Sequence, residues 1–99
     1  MAFGFLKRNK KNPWEGNYPI PDINQREDDI EFLKDTMKND SNLHRRTLAF
    51  FLLVSKKPTP EEVAKEMGAL FVDLKISEKD EELILNDFDD LIEYFESKQ

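Results

Sequence analysis

His44 is the only side chain here whose charge ordinarily changes near neutral pH, because the 99 residues hold one histidine and no cysteine. Without cysteine, disulfides, thiolate metal sites and cysteine nucleophiles are excluded. Nucleophile–base pairs then reduce to a serine or threonine working with His44. Ser41 is near in sequence, but "SNLHRRT" reads as the capped start of a helix beside Arg45 and Arg46. His44 is therefore expected to be an exposed residue on a basic helix turn. The second chemical candidate is "NDFDDLIEYFE", where Asp87, Asp90 and Glu93 follow at i+3 steps and Asp89 and Glu93 at i+4. A hard cation wants converging oxygens. The stretch has neither the central glycine of a calcium loop nor the Glu-x-x-His of a di-iron bundle, so it reads as a solvated acidic face. Gly4, Gly16 and Gly68 never cluster into a phosphate-binding loop. The expectation is a non-enzymatic protein with no cofactor and no metal.

Charge is divided unevenly. Lys7, Arg8, Lys10 and Lys11 give the first eleven residues +4, and the whole chain carries −6, so residues 12–99 carry −10. An acidic body is a poor non-specific ligand for nucleic acid, whose affinity rests on neutralised phosphates. The longest apolar run, Leu48 to Val54, is far short of the roughly 20 residues a membrane span needs, so it reads as a buried helix face. Phe3, Phe5 and Leu6 precede the basic run instead of following it, which does not match a secretory signal. The expected compartment is the cytoplasm.

The elements that must position these residues are helical. Residues 1–21 have no sustained period and contain Pro13, Pro19 and Pro21, and they read as an extended tail ahead of a single helical domain over 22–99. Asn24 with Glu27 has the spacing of a capping box, and Ile30, Leu33 and Met37 continue one stripe. Ser41 can cap the next segment, in which Leu43, Thr47, Phe50, Phe51 and Val54 share a face that Leu48, Leu52 and Leu53 widen. A helix apolar over most of its circumference is central in its bundle. Pro58 stops it, Thr59 caps the third helix, and Pro60 takes its first position. Ser77 caps the last, whose stripe is Ile84, Phe88, Leu91, Ile92 and Phe95. The spacing predicts an all-α bundle of about four helices, near 24–39, 42–57, 60–75 and 78–97. Over 70–76 the residues also alternate with the period of a short strand. Helix is favoured there, because a lone strand would have no partner.

Within "PEEVAKEMG", Ala64 and Gly68 stand at the spacing of the small residue and the turn glycine of a helix-turn-helix, and these ten or so residues resemble the first half of that motif. The resemblance implies a recognition helix after Gly68, with Leu70, Phe71, Val72, Lys75 and Ile76 toward the groove and Ser77 anchoring it in the core. Four of those five groove positions are apolar, whereas base readout needs donors and acceptors. The half that carries the chemistry does not fit.

Three surfaces remain. The apolar and basic "MAFGFLKRNKK" could contact an anionic membrane weakly. "NPWEGNYPIPD" holds Trp14 and Tyr18 in a proline-fixed segment, either a strap across the bundle or an extended ligand for another protein. The acidic last helix could steer a basic partner. The leading expectation is a small acidic adaptor, inhibitor or regulator that binds another protein through Trp14, Tyr18, Asp87, Asp90 and Glu93. The alternative is a nucleic-acid-binding regulator that sets Lys7, Arg8, Lys10, Lys11, Arg45, Arg46, Lys56 and Lys57 on phosphates. Those basic residues would also serve a peripheral membrane protein. Self-association through the wide apolar second helix stays open.

Overall fold

The computed structural model describes residues 11–98. Among them every regular element is a helix: α1 (Pro21–Asn24), α2 (Ile30–Asn39), α3 (Leu43–Val54), α4 (Pro60–Asp73) and α5 (Glu78–Ser97). The all-α expectation holds, and 70–76 carries no strand.

Side-chain caps set most boundaries. Thr59 Oγ1 accepts from the Glu62 N–H and Ser77 Oγ from the Asp80 N–H, as the sequence indicates. Two starts differ. Asn24 does not open α2, because its carboxamide is engaged backwards: Oδ1 accepts from the Ile20 N–H and Nδ2 donates to the Tyr18 hydroxyl. Asp29 caps α2 instead, accepting from the Phe32 N–H. Asn42, not Ser41, caps α3 by accepting from the Arg45 N–H. Each such cap is worth about 0.5–2 kcal/mol. Helix α3 ends at Val54, three residues before the expected stop, and Ser55–Lys57 form a turn ahead of Pro58.

The end of α4 resolves the 70–76 ambiguity. Ile76 N–H donates to the Phe71 carbonyl and Lys75 N–H to the Val72 carbonyl, the double bond of a Schellman cap. This places Lys75 at φ 55, in the left-handed region. The apolar alternation that resembled a strand is the inner face of α4 followed by this cap.

Every substantial helix–helix contact includes α3, which meets α1, α2, α4 and α5. The bundle is thus a hub with packed neighbours. Leu48, Ala49, Phe50, Leu52, Leu53 and Val54 of the hub are buried, as the apolar run suggested. Phe50 lies 5.0 Å from Phe71 of α4 and 5.1 Å from Phe88 of α5, measured between ring centroids, so one aromatic side chain joins three helices. The strap before α1 and α1 itself complete the core, through Trp14 and Ile23 respectively, both at 0% exposure. The boundary drawn at 21/22 from composition is therefore not a packing boundary.

Candidate functional site

The polar centre of the molecule lies on the seam between α3 and α5, under the strap. Asp87 follows Ile84 by three residues and precedes Leu91 by four, so helical geometry turns its carboxylate inward with those two buried side chains. Its side chain is 5% exposed, and its Oδ2 lies 3.0 Å from Nδ1 of His44. The indole of Trp14 covers the imidazole at 4.5 Å, and its Nε1 donates to the Asp87 carbonyl at 3.2 Å. Asn12 Nδ2 donates to the Asp90 carbonyl one turn further along, and Asn12 Oδ1 accepts from the Trp14 N–H. Tyr18 continues the seam against Phe95, with centroids 5.0 Å apart and the rings edge to face. All buried side-chain polar atoms among the described residues have partners. The imidazole is oriented by a carboxylate, as in a general-base dyad, but its face is covered by Trp14 and Ser41 is an exposed residue of the α2–α3 turn. The constellation ties the strap to the bundle.

The expected partner contacts divide accordingly. Trp14 and Asp87 are interior and present no surface to a partner, which corrects their assignment: the indole N–H is spent on the Asp87 backbone carbonyl and the Asp87 carboxylate on His44, so both belong to the core. Tyr18, within the strap, and Asp90, beside it, are half-buried, and Glu93 is exposed. His44 is not an exposed residue of a basic turn, since Asp87 holds it.

Arg45, Arg46, Lys56 and Lys57 are committed to the fold. Arg45 makes a paired contact with Asp22, at 2.9 and 2.8 Å, and reaches Asp40 at 2.8 Å. The hydrogen bonds that Arg45 donates to Asp22 and then to Asp40 push the guanidinium well above its ordinary pKa. The Arg45 hydrogen bond holds the Asp22 carboxyl below its ordinary 3.8. Burial alone would raise Asp40, but the bonds from Arg45 and the Asn42 N–H outweigh it, and its pKa is also lowered. Arg46 donates to the carbonyls of Met37 and Lys38 at the end of α2 and lies 3.3 Å from Asp80 of α5, so it joins three helices. Lys56 donates to the Glu27 carbonyl and approaches Asp28. Lys57 lies 4.0 Å from Glu66. Lys11 is exposed, while Lys7, Arg8 and Lys10, with the apolar Phe3, Phe5 and Leu6, lie outside the described residues.

The helix-turn-helix reading loses its turn. Gly68 sits inside continuous α4 with φ in the ordinary helical range, and a Cβ built there meets nothing within 4 Å. Leu70 and Phe71 are buried against the hub, Val72 is exposed, and Ser77 caps α5. No second helix begins between Gly68 and Ser77.

Along α5 the residues opposite the seam are acidic. The helix holds nine carboxylate side chains and one lysine. Glu78, Glu82, Asp89, Glu93 and Glu96 are all exposed. Spacings of three, four and seven residues keep them on one side over about 27 Å. Glu78, Glu81, Glu82, Leu85 and Asn86 border an open groove of about 360 Å³ on the same side.

Among the described residues no helix is long and apolar enough to cross a membrane, and no group of histidine and carboxylate side chains is placed to hold a metal ion. A scan against protein-family models and searches of curated proteins and of solved structures find no match to this chain.

Proposed function

We propose that the chain is a non-enzymatic protein-interaction module whose last helix presents its acidic outer face to a basic surface of another protein. The supporting observation is the exposed stripe Glu78, Glu82, Asp89, Glu93 and Glu96, on a helix whose opposite side is fully used by the fold. Such a stripe steers a lysine- or arginine-rich partner and accelerates encounter. The groove beside Leu85 adds an apolar foothold next to the charges. Arg45, Arg46 and Lys56 meanwhile serve intramolecular pairs, which favours this reading over their contact with phosphates.

The test uses tagged protein, wild type and a variant with Glu78, Glu82, Glu93 and Glu96 changed to Gln and Asp89 to Asn. Both are incubated with source lysate, with and without nuclease, and captured proteins are read by mass spectrometry. The expected result is a stoichiometric partner that survives nuclease, weakens with salt and is lost by the variant at unchanged helical content. A partner held equally by the variant would remove the acidic face from the account. Capture that vanishes with nuclease would transfer the function to nucleic acid.

A further inference from the structure

We infer that residues 12–24 form a clasp, a self-contained segment bound to the helical body as a ligand in cis, which opens as a unit and whose vacated seat accepts the clasp of a second copy. Its backbone is organised from within. Trp14 N–H donates to Asn12 Oδ1, Glu15 N–H to the Asn12 carbonyl, Asn17 N–H to the Trp14 carbonyl, and Ile20 N–H to Asn24 Oδ1. Gly16, at φ 80, supplies the left-handed residue that this winding needs.

Toward the body the clasp uses side chains: Asn12 on the Asp90 carbonyl, Trp14 on the Asp87 carbonyl, Glu15 with Lys98, and Asp22 with Arg45. Among the described residues no backbone–backbone hydrogen bond joins it to α2–α5. An element held in a fold in this manner is bound as a peptide is bound, by an aromatic anchor in a fitted seat.

The seat is built to survive its departure. The Asp87 carboxylate is paired with His44 at 3.0 Å and takes no hydrogen bond from the indole, so that pair does not need the clasp to be satisfied. The Asp87 and Asp90 carbonyls lie inside α5, whose own ladder also employs them. Opening therefore leaves no orphaned buried polar group. On the other side of the clasp, Gln25–Asp29 are all exposed. The far end of this hinge is fixed independently, by the Asp29 cap and by the Arg26 guanidinium 3.7 Å from the Phe32 ring centroid. The occupant in trans is a second copy because its clasp already carries the side chains that match Asp87, His44 and Asp90.

Hydrogen exchange on the unaltered chain tests the opening. The Trp14 indole N–H and the amides of Trp14, Glu15 and Asn17 should exchange as one group, at least about tenfold faster than the amides of Leu48, Phe50 and Leu52. Exchange of the indole at the rate of those α3 amides would overturn the proposal, because the clasp would then leave only on global unfolding. Trp14→Phe in the full chain tests the seat, using a synthetic peptide of residues 11–24 as the second copy's clasp. The peptide then carries the sole tryptophan. Its emission should move to shorter wavelength and saturate, and the shift should disappear when His44→Ala is added. Unchanged emission up to about 1 mM peptide, the range of a tethered segment's effective concentration, would overturn it.

Discussion

Asp87 and Asp89 stand two residues apart on α5 and do opposite work. Asp87 is 5% exposed and fixed by His44, against which Trp14 packs, while Asp89 faces solvent. The side chains are chemically identical and the helix is the same. Only the 200° of rotation between their positions differs, set by about 100° per residue. A carboxylate inside a protein must be paired, and removing its partner leaves an uncompensated group. One in water contributes little to stability and is available for something else. A helix with nine carboxylates thus contains two populations, and composition alone treats them as one.

The largest effect expected from breaking this contrast is on the covered side. Trp14→Ala removes a fully buried indole, its hydrogen bond and its contact with His44, and should cost about 3–5 kcal/mol in urea unfolding. Asp87→Ala should cost about 1–3 kcal/mol, less because His44 is partly exposed and can turn to water. The Arg45 pairs with Asp22 and Asp40 fall between the two populations. Both carboxyls titrate below their ordinary value in the folded chain, so their contribution is fully present above about pH 4 and lost as pH falls through the depressed values. Arg45→Ala should lower stability at pH 7 by about 1 kcal/mol and flatten that acid limb, as followed by thermal melts from pH 7 to 2. Lys75→Gly relieves a left-handed lysine and should stabilise by about 1 kcal/mol, a gain that would be absent if the Schellman cap did not form. Asp89→Asn should change stability by less than about 0.5 kcal/mol. A loss comparable to that of Asp87→Ala would erase the distinction between the two faces.

Much of the fold was legible. Thr59 and Ser77 announce their helices by hydroxyl and spacing, and the apolar circumference of Leu43–Val54 identifies the hub. The first two helix starts were less legible because Asn24, Asp29, Ser41 and Asn42 are all competent caps. Tertiary contacts choose among them, here the call on Asn24 by Ile20 and Tyr18. The His44–Asp87 pair was hidden by a separation of 43 residues. A local trace existed, since Asp87 interrupts the Ile84–Leu91 stripe at an inward position. An inward carboxylate implies a partner but does not name one. Gly68 reads as lying within a helix over 60–75 because the residues after it are apolar and unfit for a DNA groove, and Leu70 and Phe71 indeed pack on the hub.

The distance along the chain between Trp14 and its seat has a consequence for synthesis. Asp87 is translated 73 residues after the indole it accepts. At about 5–20 residues per second, that interval is roughly 4–15 s. The α2–α3 hairpin, closed by a three-residue turn, can pair long before then. The strap is therefore made well before its seat and settles late. Until most of α5 has been made, the chain's one tryptophan is available to whatever chaperone or neighbouring nascent chain meets it.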